Sequence, residues 1–515
     1  MADISDLNLT SRLIHYRFRG FPLEIFVLTL IGTVLRLYRL GHESLWVGEI
    51  QVLQLVTERT LYDIVFIVPV NTLEPPLYYI ITWGWIQAIN LTSAVALRLP
   101  AAVFGIVSIP FFYEFARTTF HRRIAAVSTM LYVVHPFLIW HAQDAQLFSF
   151  LLLLTVLSFY LFVRMIKHQS RYELFGYTGT ALFLVYTHVY GLFVIFAQIG
   201  FIVWRHITEK EEQVLPIKNY QRIFGLLGLL ILPWIGFVVF QVVTATNLSS
   251  NIITWIQPPN FEWIHPFEWL TLLETFRVLS VGVTRQLLPY VRLADPPRIL
   301  YLFVILSFIL LFDDIRRNYR EDISIDIETI VMVGLWVLVP VIVPFILSMM
   351  LQSIYRLEYI IVAAPAFILL VVRGAFRIRQ SSIRYTILGV ILIGLILPLP
   401  GFYALDQKEQ WQETATYIEQ NAGSKDIVII VPGWTDRAFR RYFNDGSVEI
   451  KPMYSWQSVQ AFRKTITNKE DIYLILSYAT TKERQQTIQR ITNATGSPPD
   501  TRRYLVKILI VVWKQ

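Results

Sequence analysis

LYYIITWGWIQAINL (residues 77–91) is the stretch on which the topology of this chain turns. It is apolar almost throughout, yet a bilayer core asks for about 20 residues of helix. Counted as a crossing, it inverts everything that follows; read as an interfacial or re-entrant helix, it does not. Further apolar runs surround it at 21–39, 98–117, 123–140, 146–165, 173–188, 190–204, 221–240, 298–312, 328–350, 357–373 and 384–402, eleven in all. The first is expected to stay as a span, since it is long and no small-residue cleavage site follows it.

Charge settles the question that length leaves open. With Arg12, Arg17 and Arg19 in the cytoplasm and 40–97 taken as one external loop, the basic clusters between spans fall together. Arg117, Arg122 and Arg123 share that side with Arg164, Lys167 and Arg171, and with Arg205 and Lys210. Arg316, Arg317 and Arg320 lie there too, as do Arg373, Arg377, Arg379 and Arg384. The positive-inside rule favours this arrangement and so eleven spans, with 77–91 not among them. The net charge of +8 then has a use in orientation, and no nucleic-acid partner is expected. Composition agrees: 55% of the 515 residues are apolar and 16% charged, where soluble domains carry roughly a quarter charged. Cysteine is absent, which excludes disulfides, thiolate metal sites and cysteine nucleophiles.

From about residue 403 the pattern changes. KEQWQETATYIEQ (408–420) has the charge and apolar spacing of an amphipathic helix in water. The short runs DIVIIV (426–431), DIYLILSY (471–478) and YLVKILIVVW (504–513), the last carrying Lys507, read as strands. The expected organisation is a polytopic α-helical membrane domain over 1–402 and a soluble external α/β domain over 403–515. Pro432-Gly433-Trp434 reads as a turn first and a binding loop second. No nucleophile, phosphate loop or metal spacing stands out in this part.

On this topology several polar residues gather at the external ends of the spans. Glu49 sits among apolar neighbours in RLYRLGHESLWVGEIQVLQL (36–55); a carboxylate near lipid is a functional candidate, against a plain surface position on an interfacial helix. Glu74 precedes Pro75-Pro76 and reads equally as a helix cap. Arg98 pairs with phosphate or merely snorkels to the interface. HPFLIWHAQDAQLF (135–148) carries His135, His141, Gln143 and Asp144, and VYTHVYGLF (185–193) carries His188 and Tyr190. A buried histidine is more often a hydrogen-bonded core residue than a catalyst. SIYRLEYIIVAAP (353–365) adds Tyr355, Arg356, Glu358 and Tyr359. Carboxylates, guanidinium groups and aromatics converging on one membrane face suit a phosphate-bearing lipid and a hydroxyl acceptor. No spacing resembles a zinc or calcium motif.

These segments also resemble the polyprenyl-phosphate-sugar-dependent glycosyltransferases of the GT-C fold, a family that includes protein mannosyltransferases and the lipid A aminoarabinose transferase. The likeness runs through RLYRLGHESLWVGE, EPPLYY, RLPA, HPFLIWHAQDAQLF, YTHVYGLF and RLEYIIVAAP, in family order. A soluble external C-terminal domain is common among such relatives. The resemblance implies an inverting transfer at the external face, with a polyprenyl-phosphate sugar as donor and a lipid, glycan or protein hydroxyl as acceptor. A first-loop carboxylate acts as base, basic and tyrosine groups stabilise the leaving phosphate, and no nucleotide or redox cofactor is needed, a divalent metal being left open.

Carried over, the catalytic candidates are Glu49 and Asp144, and the substrate-binding ones Glu74, Arg98, Gln143, His188, Tyr190, Arg356 and Tyr359; no metal ligand is among them. The family's usual candidate base is an aspartate where this chain has Gly48. Asp144, Gln146 and Glu74 stand for a glutamate, an arginine and a histidine. Either another acid takes the base role or the chain keeps only lipid-linked sugar binding. A lipid or sugar transporter is a third reading, which would place polar groups near the midplane. The external segment 241–297, with Trp255, Trp263 and Trp269, is expected to cover the site or anchor at the interface. A bacterial plasma membrane is the expected location.

Overall fold

A computed structural model describes residues 17–18, 21–69, 74–168, 170–208, 223–236, 270–282, 299–321, 324–350, 354–454, 466 and 469–514. Among these residues six helices are long and apolar enough to cross a membrane: Ala94–Thr119, Phe148–His168, Tyr190–Thr208, Ile327–Met350, Leu357–Ala375 and Ser381–Ala404. Arg122–Val134 and Pro136–Ala142, bent by 58° at their junction, make a seventh if taken as one span. The remaining apolar runs hold shorter helices, Leu23–Leu37 and Arg171–Val185, with Ile223–Gly236 and Tyr301–Phe312. Among the described residues helix length and composition therefore support six or seven crossings, and the chain is an integral, multi-pass membrane protein. Most of 241–297, with its three tryptophans, lies outside the described residues, as do Arg12, Arg19 and Lys210; Leu270–Val281 is helical.

Residues 77–91 form a helix of 13 residues, Leu77–Ile89, about 20 Å long and short of a bilayer core. Pro76 precedes it, with no side-chain cap, so Glu74 does not fill the capping role. Asn90 closes the helix in the left-handed conformation at φ 51, its N–H returning to Ile86 O. Tyr78, Tyr79, Thr82 and Ile86 face inward.

The helical core is held by aromatic packing. Trp336 lies flat on Phe159 at 3.8 Å and donates through Nε1 to Val362 O at 2.7 Å. It thereby joins helices Phe148–His168, Ser324–Met350 and the start of Leu357–Ala375. Gly374 sits where an added Cβ would stand 1.9 Å from Ser307 O, the close backbone approach that small residues allow between membrane helices.

Beyond Ala404 the chain forms helix Trp411–Asn421 and a five-stranded mixed sheet. Its strands are β1 (Ile427–Val431), β2 (Glu449–Pro452), β3 (Asp471–Ser477), β4 (Thr501–Leu505) and β5 (Ile508–Lys514), in the order β2-β1-β3-β5-β4. β1 runs parallel to both neighbours, whereas β3–β5 and β4–β5 are antiparallel. Both sheet faces are buried, which explains runs of consecutive Ile, Val and Leu in place of alternation. Ile427, Ile429 and Leu474 pack with Ile488 and Ile491 of helix Thr481–Thr495. Val428, Ile430 and Ile475 belong to the cluster that runs on through Trp411 and Phe439 into the helical region.

Replacing Gly374 by Ala forces its helix away from Ser307. The expected result is a loss of about 1–3 kcal/mol, seen as a lower unfolding midpoint in detergent; an unchanged midpoint would show that the two helices are free to separate.

Candidate functional site

The site is built where residues 40–49 meet the residues before Trp411. Trp46 opens helix Val47–Glu58 and Glu49 lies in its first turn, fully buried. Its Oε1 accepts from Arg98 Nε at 2.7 Å, Lys408 Nζ at 2.8 Å and the Ala145 N–H at 3.0 Å. Its Oε2 accepts from Arg98 Nη2 at 2.7 Å and, weakly, from the Trp46 N–H at 3.4 Å. The surface reading of Glu49 is thereby excluded.

Arg98 stands in the first turns of helix Ala94–Thr119, which Ser93 caps through the Ala96 N–H. Beyond Glu49 its guanidinium donates to Leu40 O at 2.9 Å, Glu43 O at 3.0 Å and Ser44 O at 3.1 Å. These contacts use all five N–H groups an arginine carries. None is left for a phosphate, so here Arg98 anchors Glu49 and shapes the 40–44 turn.

Lys408 is the residue the sequence reading missed. The helix expected over 408–420 begins at Trp411, and Lys408 turns inward, buried, toward Glu49, Gln143 O at 2.9 Å and Asp144 Oδ1 at 3.5 Å. Around it the two segments clamp each other. Glu43 accepts from the Gln407 and Lys408 N–H groups at 3.0 and 3.1 Å. Glu409 accepts from the Val47 N–H at 3.2 Å, from Trp411 Nε1 at 2.7 Å and from the Tyr478 hydroxyl. Ser44 donates to Glu409 O at 2.7 Å. Lys507, at the turn between β4 and β5, faces the same acids; burial outweighs the charges of Glu409 and Glu43 and lowers its pKa.

The two neighbouring carboxylates differ. Burial pushes Glu49 up, but the charges and hydrogen bonds of Arg98 and Lys408 prevail and hold it at about 2. Asp144, also buried, accepts from Trp46 Nε1 at 2.8 Å and shares Lys408 at a longer distance. Burial raises it to about 6, with Lys408 pulling down and Glu49 pushing up. Gln143 caps the end of helix Leu23–Leu37, its Nε2 donating to Tyr38 O at 2.8 Å and to Leu35 and Arg36 O.

The other sequence candidates form a second cluster. Tyr359 has His188 at 4.3 Å and Tyr190 at 5.1 Å between ring centroids, with the Arg356 guanidinium 5.6 Å over its ring. Arg356 is 39% exposed in its side chain and lies 3.7 Å from Glu358. Glu74 accepts from the Tyr79 hydroxyl; burial raises its pKa, with Tyr79 and the charge of Arg356 opposing. Tyr78 and Tyr79, 5.7 Å apart, span the gap between the clusters, since the charges of Asp144 and Glu49 bear on Tyr78. His135 is tied to Leu279 O at 3.1 Å, and His141 is packed between Phe137 and Phe148. Among the described residues no three His, Asp or Glu side chains gather as a metal site.

Gly48 lies under this arrangement. A Cβ there would stand 2.4 Å from Gln146 Nε2 and 2.6 and 2.8 Å from the Trp46 ring.

Residues 73–246 match the family described as dolichyl-phosphate-mannose-protein mannosyltransferase. No curated protein sequence matches the chain. Among solved structures, ArnT from Cupriavidus metallidurans in the apo state is 14% identical, with a TM-score of 0.53 over 95% of this chain and 97% of that one. ArnT bound to undecaprenyl phosphate superposes with a TM-score of 0.50, at 13% identity and the same coverage. An Archaeoglobus fulgidus oligosaccharyltransferase complexed with Zn and sulfate is 10% identical, with a TM-score of 0.53 over 92% of this chain and 70% of that one. The fold is that of the GT-C glycosyltransferases, as the resemblance implied.

Replacing Glu49 by Gln leaves Arg98 and Lys408 buried without their counter-charge and is expected to cost about 3–5 kcal/mol. Because the folded pKa lies below the ordinary carboxylate value, Glu49 contributes its stability above about pH 4 and loses it as pH falls toward 2. A detergent unfolding series across that range checks both; an unaltered midpoint in Glu49→Gln would show that the ion pairs do not hold the loop. Gly48→Ala is expected to displace the Trp46 ring at a cost of about 1–3 kcal/mol, measured in the same way.

Proposed function

We propose that this GT-C-fold membrane protein transfers a sugar from a polyprenyl-phosphate donor to a hydroxyl acceptor at the external face, with inversion, and that Asp144 is the base. The carrying observation is the contrast between the two buried carboxylates. Glu49 is saturated by short charged contacts, whereas Asp144 is less stabilised and is raised to about 6. A base works best with a pKa near the operating pH. In the step, the acceptor oxygen bonds to the anomeric carbon as its proton passes to Asp144. The bond from that carbon to the phosphate oxygen breaks, and the polyprenyl phosphate leaves with the electron pair.

Arg356, the most accessible cation of the second cluster, is assigned to the leaving phosphate, with Tyr190, Tyr359 and His188 shaping its pocket. Glu49, Arg98 and Gln143 take positioning roles, and Glu74 orients Tyr79 beside Arg356. Undecaprenyl phosphate in the ArnT complex, and dolichol phosphate in the Archaeoglobus fulgidus AglB complex, support the donor class. The eleven-span topology, with the N-terminus cytoplasmic and 403–515 as a soluble domain outside, rests on the positive-inside argument and puts Lys408 on the same side as Glu49. A bacterial plasma membrane and the absence of a cofactor belong to the same reading.

A second reading keeps donor binding without turnover. It is favoured by the closed space at Gly48, which leaves no carboxylate at that position.

Single-turnover release from radiolabelled polyprenyl-phosphate sugars separates the two. Release by the parent that falls about 10²–10⁴-fold in Asp144→Asn supports the base assignment. A parent that binds donor and never releases sugar supports the second reading. The base acts only when deprotonated, so release should climb with pH to a plateau above about 6. A profile flat from pH 5 to 8 would remove Asp144 from the role.

A further inference from the structure

Helix Val47–Glu58 has a second functional face. One side sends Glu49 into the ion pairs; the other presents Gln51 and Gln54 to a cleft with a cavity volume of about 270 Å³. The opposite wall carries Trp434, Asp436, Arg437 and Tyr454. The two aromatics are brought to one cleft by the backbone. The Gly433 N–H donates to Met453 O at 2.7 Å, and a Cβ at Gly433 would stand 2.8 Å from the Met453 backbone. The residues that follow, Trp434 and Tyr454, therefore flank one opening. Trp434 is braced by Tyr478 with ring centroids 5.0 Å apart, while Tyr454 is 59% exposed. Arg437 Nη1 donates to Gln54 Oε1 at 3.1 Å, and Gln51 is exposed.

The composition of this cleft points to one ligand chemistry. Aromatic faces offer apolar area with a polar tip, amides both donate and accept, a carboxylate accepts and a guanidinium donates. A sugar ring presents the matching set: C–H groups on its faces and hydroxyls around its rim. The volume lies near the lower end of small-molecule sites, about 300–1,000 Å³, and suits a short saccharide. An extended peptide would pair with a strand edge, whereas these side chains come chiefly from helix and turn. Hydrogen bonds tie the wall of the cleft to the buried carboxylates. Tyr478, which braces Trp434, donates to Glu409; Glu409 holds the Val47 N–H; and Trp46, the preceding residue, donates to Asp144.

We infer that this cleft holds the acceptor and that the acceptor is a saccharide, free or as the headgroup of a glycolipid. The assignment of the bound saccharide as acceptor rests on the glycosyltransferase reading above.

The test uses full-length protein in lipid nanodiscs, without donor. Manno-, gluco-, galacto- and N-acetylglucosamine oligosaccharides are titrated by saturation-transfer NMR, alongside Ser/Thr-containing peptides. At least one saccharide should bind, and its affinity should fall roughly tenfold or more in Trp434→Ala. Gln51→Ala, at an exposed position where folding is not at stake, should weaken the same saccharide severalfold. Tighter binding of a lipid-linked form of that saccharide, placed in the nanodisc, identifies a glycolipid headgroup; equal affinity identifies a free glycan. The inference is overturned if no saccharide binds, if both variants bind as the parent does, or if only peptides bind. Because binding is read without donor, a parent that holds saccharide yet never releases sugar from donor defeats the transferase reading and leaves the saccharide site standing. The reverse pattern defeats the site alone.

Discussion

The buried ion pairs of Glu49 with Arg98 and Lys408 are the constraint on which this part of the protein depends. A carboxylate and two cations removed from water each carry a desolvation cost of several kcal/mol, offset only when geometry is good and remaining polar atoms are satisfied. That condition holds. Arg98 meets both carboxylate oxygens at 2.7 Å and spends its other N–H groups on three carbonyls of the 40–44 turn. The three charges come from segments far apart in sequence, so the pairs form only when the turn, the start of helix Ala94–Thr119 and the approach to Trp411 are assembled. Glu43 and Glu409 repeat the pattern on backbone N–H groups, each segment supplying an acid to the other. Charge in this region works as registration.

Registration has a chemical consequence. Lys408 is shared unequally, at 2.8 Å from Glu49 and 3.5 Å from Asp144. The carboxylate that takes the shorter bonds stays ionised, and its charge discourages ionisation of its neighbour. Two acids in one buried volume are driven apart in proton affinity, and the one whose pKa is brought toward neutrality is the one suited to take up a proton. Coupled groups titrate as a pair, so the behaviour of Asp144 belongs to the whole set, Lys408 included.

The helices were legible because their apolar runs are long, and the helix within residues 77–91 because its run is apolar but short. The buried acids Glu49 and Asp144 were legible because carboxylates are rare beside such apolar neighbours. Lys408 was hidden. In KEQWQETATYIEQ it has the spacing of a solvated charge on an amphipathic helix, and only the start of that helix at Trp411 turns it inward. Arg98 shows the opposite limit. Its type and place were readable, but whether it has an N–H to offer a phosphate depends on carbonyls supplied by the 40–44 turn. Gln143 likewise proves to be a helix cap, and Glu74, which looked like a cap, is a partner of Tyr79. In each case the sequence specifies a group able to make hydrogen bonds, and the tertiary fold chooses the partner.

Gly48 brings these strands together. A side chain at that position would begin inside the volume held by the Trp46 ring and the Gln146 amide. The same Trp46 donates the 2.8 Å hydrogen bond that fixes Asp144. An acid at position 48 and this placement of Trp46 therefore exclude each other, for a rigid indole cannot give way by more than a few tenths of an ångström without dragging its Nε1 from Asp144. Glycine at 48 is a condition of the arrangement in which Trp46 holds Asp144. The absence of an acid at position 48 and the presence of a raised one at Asp144 are two sides of one packing solution.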